Sequence, residues 1–317
     1  MVDLFDKMYN SIKDKNKTLS LLRFYSVIRI IIRLSANLLL PFYFLLTRKN
    51  KKYSLLIPSS NKERIIVSIT SFPSRINRIW LVIETLLHQS KKPDKIILWL
   101  SLEQFPSLKS LPENLLSLQK RGLEIQLKED NLRSHKKYYY AIKDYPDDII
   151  ITVDDDVFYH TELIENLVNL YHKFPTCVCC NYCSEIEVVN KEIEPYLSWK
   201  NYYIPENPGF KLFPIGIGGI LYPPGSLHPL VIDSTVFKSI CLNADDIWLN
   251  CMTKLAENLV VKTNYNSFYL PVINYKNSSL TSVNVNEGYN DKQLSALRKY
   301  CIIKLGKDPF EKILLDY

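Results

Sequence analysis

The chain has 317 residues, 47% hydrophobic and 23% charged, a balance that implies a globular protein with a sizeable core and excludes wholesale disorder. Its net charge is +7, yet residues 1–60 hold 11 Lys and Arg against 3 Asp and Glu, while the rest carries 29 basic and 30 acidic side chains. A nucleic-acid-binding domain spreads a basic face over its folded body. An excess confined to one terminal segment points instead to anionic lipid head groups, so no nucleic-acid partner is expected.

The start, MVDLFDKMYN, has no basic stretch leading into an apolar core, and no cleaved signal peptide is expected. Residues 21–40 read LLRFYSVIRIIIRLSANLLL, with Arg23, Ser26, Arg29, Arg33 and Asn37 spaced by three or four. That spacing predicts a helix with one narrow polar stripe and a broad apolar surface opposite. Pro41 is expected to interrupt it. The 14 residues between Arg33 and Arg48 are too few for a span of about 20. An in-plane interfacial helix with a basic stripe fits better, against a packing helix with paired arginines or a true span.

From residue 64 onward, strand-like and helix-like segments alternate, as in an α/β domain with a mostly parallel sheet. Strands are expected at Arg64–Thr70, Lys95–Leu100, Glu124–Lys128 and Asp148–Val153, and helices at 75–89, 112–120, 135–143 and 161–173. Ligands in such sheets bind beyond the carboxyl ends of the strands, so the residues after each strand carry the functional information.

The segment Asp147–Val157 is the most informative. Its β-branched run predicts a buried strand, ending abruptly in Asp154, Asp155 and Asp156. Three adjacent carboxylates repel unless a cation or hydrogen-bond donors neutralise them. Mg²⁺ typically takes one or two carboxylates plus substrate phosphates, which this arrangement suits. An EF-hand loop is excluded because Phe158 and Tyr159 stand where a ligand and a glycine belong. A solvated acidic turn is the bland alternative.

Four of the seven cysteines crowd into Cys177–Cys183, where the next strand should lie, with no second Cys or His pair at zinc-finger spacing. They are expected to be buried, reduced thiols. Phe213–Gly225 sets Gly216, Gly218 and Gly219 among apolar residues. Such a turn lets backbone approach a ligand closely, although a bulge or tight bend explains it equally well. Asn243–Leu249 opens a helix to Glu257, so Asn243 or Asp245 could simply cap it. A cap needs one acid, however, and the pair Asp245–Asp246 stands beside Trp248, a candidate sugar platform. A carboxylate here could deprotonate an acceptor hydroxyl. The tail closes with a helix over Asp291–Leu305.

Taken together, VSITSFPSRI (67–76), KIILWLS (95–101), LRSHKK (132–137), DDIIITVDDDV (147–157), FPIGIGGILYPPGSLH (213–228) and ADDIWL (244–249) resemble a GT-A glycosyltransferase of the type found in bacterial capsule and lipopolysaccharide clusters. The resemblance covers roughly residues 64–265. It implies a nucleotide-diphospho-sugar transferase fold: a mixed, mostly parallel sheet flanked by helices, behind an amphipathic N-terminal segment. The expected division is 1–60 for membrane association, 61–275 for catalysis and 276–317 for a packing tail.

The resemblance also implies roles. Asp154–Asp156 would be the DxD-type motif, with Asp156 the direct ligand of Mn²⁺ or Mg²⁺ and Asp154 or Asp155 contacting the ribose. Thr70, Ser71 and Arg75 would line the base pocket. Arg133 and Lys137, with Lys136 as substitute, would neutralise diphosphate or hold the base. Gly218 and Gly219 would shape the sugar pocket. Asp246, with Asp245, would be the general base of an inverting reaction, and His228 is a candidate third metal ligand. The expected partners are a nucleotide-sugar donor, foremost a UDP-sugar, a glycan or lipid-linked acceptor, and a membrane surface met through residues 20–52. The expected location is cytoplasmic, peripheral on the inner face of the cell membrane.

Overall fold

A run of β-branched residues, Ile65–Thr70, forms strand β1, buried along its whole length except at its last residue. Continuous apolar strands of this kind are typical of parallel sheets covered by helices on both faces. The computed structural model has this arrangement and describes residues 1–12, 23–55, 63–265, 268–274 and 288–315. Its further strands are β2 (Lys95–Ser101), β3 (Leu123–Lys128), β4 (Ile149–Val153), β5 (Val157–Phe158), β6 (Val178–Cys180), β7 (Cys183–Glu185), β8 (Val188–Val189), β9 (Glu192–Ile193), β10 (Lys200–Asn201), β11 (Leu212–Pro214), β12 (Ile220–Tyr222), β13 (Val260–Lys262) and β14 (Leu270–Pro271).

Seven of these form the main sheet in the order β13-β6-β12-β4-β1-β2-β3. Adjacent pairs are parallel except around β12, which runs antiparallel to both β4 and β6. Val67 of β1 pairs with Ile96 on one side and Ile151 on the other. Smaller ribbons join β10-β7-β11, β14-β5 and β8-β9.

The helices are α1 (Val2–Ser11), α2 (Phe24–Thr47), α3 (Ile79–Leu87), α4 (Glu113–Leu116), α5 (Lys136–Asp144), α6 (Leu163–Lys173), α7 (Ser234–Ile240), α8 (Asp245–Leu255), α9 (Tyr289–Leu305) and α10 (Glu311–Leu315). Strand alternation divides the interior into two cores. Ile65, Val67 and Ile69 face one, shared with α1, α2, α3 and α6; Ile66 faces the other, shared with α5, α7, α8 and α9. Each fully buried Ile or Leu contributes roughly 1.5–3 kcal/mol. The expected mixed, mostly parallel sheet flanked by helices, behind an amphipathic N-terminal helix, is therefore present.

The topology also locates the crevice. After β1 the chain builds β2 and β3 on one side, then returns to place β4 on the other. Ligand clefts of open α/β sheets form where strand order reverses in this way, outside the carboxyl ends. The residues that follow β1 and β4 there are Ser71 and Asp154.

Three local expectations need correction. The predicted helix at 112–120 is one α-turn followed by a 3₁₀ segment, Ser117–Arg121, which ends at Gly122 with φ +102°. Pro41 does not interrupt α2; Leu40 and Phe44 on its flanks are fully buried, and this packing outweighs the one ladder bond that proline removes. The expected polar stripe of α2 is not outward along its whole length: Arg29 donates to the Ile12 carbonyl at 2.9 Å and Asn37 to the Pro271 carbonyl at 2.9 Å, whereas Arg23 and Ser26 are exposed. Leu21, Leu22, the expected boundary at residue 60 and the polar loop at 276–287 lie outside the described residues. The cysteines of 177–183 are free and buried, as expected.

The end of α2 is fastened by Glu84 of α3, whose side chain is fully buried. Both its oxygens accept from Arg121, at 2.7 and 2.8 Å, and one from Arg48, at 3.1 Å. Removing this carboxylate, the only one these two arginines share among the described residues, leaves charge buried without compensation. Glu84→Ala is expected to lower unfolding free energy by about 3–5 kcal/mol in urea titration, whereas an unchanged midpoint would refute this role.

Candidate active site

The acidic end of β4 places alternate side chains on opposite sides. Asp154 and Asp156 are partly open, with side chains 29% and 27% exposed, whereas Asp155 is 7% exposed. Asp155 is committed inward: it accepts from Ser71 Oγ at 2.5 Å and from Arg75 at 2.6 Å. Arg75 reaches Asp156 as well, at 2.9 Å. Burial pushes the Asp155 carboxyl up, against the pull of Arg75 and Ser71. Burial also raises Asp156 to about 7, with Asp154 and Asp155 reinforcing and Arg75 opposing it.

Lys137, on the first turn of α5, joins this strand end to the second acidic pair. Its Nζ lies 2.6 Å from Asp154 and 2.9 Å from Asp245. Burial disfavours its charge, yet Asp154, Asp245 and Asp246 together hold the ammonium well above the ordinary lysine range. Two contacts inside the fold fix its position. Ser68 Oγ of β1 donates to the Lys137 carbonyl and accepts from Trp99 Nε1 at 2.8 Å.

Asp245 and Asp246 open α8. Burial works against ionisation of Asp245, but Lys137, and then His135, hold it below the usual carboxylate range. Burial and neighbouring Asp245 push Asp246 up to about 7. One Asp246 oxygen accepts the Gly216 N–H at 3.1 Å; the other, Oδ1, is buried with no hydrogen-bond partner among the described residues. A Cβ on Gly216 would stand 2.8 Å from that oxygen and 3.4 Å from Lys137 Nζ. Glycine is therefore required there by the acids, a constraint that sequence reasoning missed.

The remaining expected residues divide. Thr70 donates to the Trp99 carbonyl at 2.8 Å, a sheet contact, and Arg75 clamps the acids instead of lining a base pocket. Lys137 is fully committed to carboxylates and is not free for a diphosphate. Lys136, expected as its substitute, forms no salt bridge among the described residues; its Nζ donates to Asn131 at 3.3 Å, and burial lowers it to about 8. Arg133 is exposed at φ +51° and donates to Asn243, two residues before Asp245.

Gly218 faces Tyr182, where a Cβ would come within 2.2 Å of the ring, and Gly219, at φ +80°, faces Leu163. Both answer to packing and backbone shape. Trp248 is no sugar platform: it is fully buried, its Nε1 donating to the Val231 carbonyl at 3.2 Å. His228 stands apart from the acids; its Nδ1 accepts from Leu230 N at 3.2 Å, and its charged neighbour is Lys307.

Two tyrosines were not anticipated. Tyr159, fully buried, accepts the Asp154 N–H at 2.8 Å and donates to the Ile217 carbonyl at 3.2 Å, tying strand end to glycine turn. Tyr222, buried in β12, feels Asp246, Lys137 and Asp245. Nothing in its apolar surroundings Ile220-Leu221 marked it.

Five carboxyl groups thus face two paired cations, Lys137 and Arg75. Among the described residues no cluster of three Asp, Glu, His or Cys could hold a metal by itself. A donor set of two outward carboxylates, Asp154 and Asp156, nevertheless fits a hard divalent cation that completes its shell with phosphate oxygens.

No protein-family model and no curated protein matches the chain. Among solved structures it is similar to a mannosyltransferase from Pyrobaculum calidifontis in complex with GDP-Man and Mn²⁺, at 12% identity and TM-score 0.48 over 90% of this chain and 78% of that one. It is also similar to apo UDP-glucose pyrophosphorylase, at 9% identity and TM-score 0.39 over 75% of this chain and 98% of that one. A 2-C-methyl-D-erythritol 4-phosphate cytidylyltransferase from Francisella tularensis matches at 13% identity and TM-score 0.40, over 73% and 100% of the two chains. These likenesses are too distant for residue roles to be carried across.

The electrostatics of Asp246 make a pH prediction. Its folded value of about 7 lies above the ordinary 3.8, so between these the folded state keeps a proton that the unfolded chain releases. Stability should therefore fall as pH rises from about 4 to about 7. Asp246→Asn should remove roughly 2–4 kcal/mol of that decline, matching wild type near the acid end and exceeding it in urea midpoint above neutrality. Parallel curves across the range would contradict the assignment.

Proposed function

We propose that the protein is a divalent-metal-dependent glycosyltransferase of the GT-A type, transferring a sugar from a nucleotide-sugar donor to an acceptor hydroxyl in cell-surface glycan synthesis. One observation carries this reading: a single buried ammonium, Lys137, gathers the β4 acids and the α8 acids into one cluster at the sheet's switch point. Asp154 and Asp156 would hold Mn²⁺ or Mg²⁺, and the bound cation would stabilise negative charge on the departing nucleoside diphosphate.

The chain's own groups supply the rest. Asp246, raised to about 7 and with Oδ1 unpartnered among the described residues, suits a general base. It takes the acceptor hydroxyl proton as the acceptor oxygen bonds to the sugar's anomeric carbon and the bond to diphosphate breaks. Gly216 orients that carboxylate through its N–H. Lys136 and Arg133, the basic residues at this end that form no salt bridge among the described residues, are the candidates for diphosphate contact. Transfer of a nucleotidyl group uses an already ionised phosphate as nucleophile and needs no such base. It would also want a glycine-rich loop after β1, and Thr70–Arg75 contains no glycine.

The test is turnover of UDP-, GDP-, CMP- and dTDP-sugars with Mn²⁺, Mg²⁺ or EDTA. One donor, foremost a UDP-sugar, should be consumed only with metal, and Asp156→Asn should lower kcat at least about 100-fold. Formation of a nucleotide sugar and pyrophosphate from a nucleoside triphosphate and a sugar 1-phosphate, with no donor turnover, would replace this reading by a nucleotidyltransferase.

A further inference from the structure

Helix α2 is turned inside out for a protein surrounded by water. Ile31, Leu34, Leu38, Phe42, Leu45 and Leu46 are all exposed, Leu38 at 64% and Leu46 at 83%. Their spacing places them along one side of a 24-residue helix about 36 Å long. Contiguous apolar surface of this extent marks a contact with lipid or another protein. Two polar side chains of the helix point inward: Arg29 donates to the Ile12 carbonyl and stacks over Phe268, and Asn37 bonds the segment around Pro271.

We propose that this face of α2 is a docking surface for an anionic lipid bilayer, with the helix lying in the membrane plane. By length and composition α2 could cross a membrane. Its other flank, however, packs Ile32, Ala36, Leu40 and Phe44 against the body, which a helix surrounded by lipid cannot do. Charge selects the occupant. Lys49, Lys51 and Lys52 are exposed just past the helix end and form no salt bridge among the described residues; Arg23 is exposed at its start. Basic residues at both ends complement acidic head groups. A second copy laid along the face, parallel or antiparallel, would set like charges together.

The inward side of the same helix is linked to the acids. Asn37 accepts from Ile273 N at 2.8 Å and donates to the Pro271 carbonyl, while Val272 N, between them, donates to the Asp156 carbonyl at 2.8 Å. One three-residue segment thus touches the docking helix on one side and the β4 strand end on the other. Resting on the function proposed above, this adjacency favours an acceptor carried on a lipid; docking itself does not depend on that function.

The test is flotation of the full-length protein with vesicles of phosphatidylcholine alone or mixed with phosphatidylglycerol, alongside sizing in solution. Wild type should float with the mixed vesicles. Leu38→Glu with Leu46→Glu, both outside the core, should lower the bound fraction at least about tenfold with unchanged circular dichroism. Lys49→Glu, Lys51→Glu and Lys52→Glu together should lose binding to the mixed vesicles while leaving any binding to phosphatidylcholine. Wild type that stays soluble beside mixed vesicles, or a Leu38 and Leu46 variant that floats equally well, would overturn the proposal. So would a dimer in solution that the same leucine changes dissolve, which would make the face an interface between copies.

Discussion

The arrangement depends on one buried ammonium. Lys137 stands between Asp154 at the end of β4 and Asp245 at the start of α8, two positions more than ninety residues apart in the chain. Without a cation, these carboxylates would repel across a water-poor space; without the carboxylates, a buried lysine would lose its proton. Each makes the other tolerable, and the geometry is held by neutral groups around them: Ser68 under the Lys137 carbonyl, Gly216 against Asp246, and Tyr159 bonded to the Asp154 N–H. Lys137 and Arg75 leave the five carboxyls short of compensation. That residual negative field suits a divalent cation.

Much of this was legible in the chain. The boundary between Ile149–Val153 and the three aspartates is a solubility boundary, and a strand end at the point where the sheet order reverses resolves it. The pair Asp245–Asp246 stood out because capping needs one acid. What sequence could not supply was direction. Lys136 and Lys137 are neighbours about 100° apart on a helix, and the fold alone decides which one points into the acids. Trp248 was misread for a related reason: α8 is buried on almost every side, Asp246 being its one half-buried residue, so proximity to the acids in sequence carried the ring into the core. Gly216, Gly218 and Gly219 looked alike as letters, yet one faces carboxylates and two face hydrocarbon.

The N-terminal helix teaches the same lesson. Periodicity in LLRFYSVIRIIIRLSANLLL revealed a polar stripe opposite an apolar surface, but not which of them met the body. Asn37 turns inward because the carbonyl and N–H groups around Pro271 need partners, and Arg29 because the Ile12 carbonyl does. The apolar side is thereby forced outward. The segment that receives Asn37 also bonds the backbone of Asp156, so anchoring and chemistry share a structural element instead of occupying separate ends of the molecule.

The central claim is that the β4 and α8 acids form one site for a divalent cation with a nucleoside diphosphate. Its most direct test is calorimetric titration of Mn²⁺ into the full-length protein with UDP, GDP, CDP or dTDP, for wild type and Asp154→Asn. The account predicts that one diphosphate tightens Mn²⁺ binding to wild type and that the variant loses this coupling. Equal Mn²⁺ binding by both proteins, unaffected by any of the diphosphates, would contradict it.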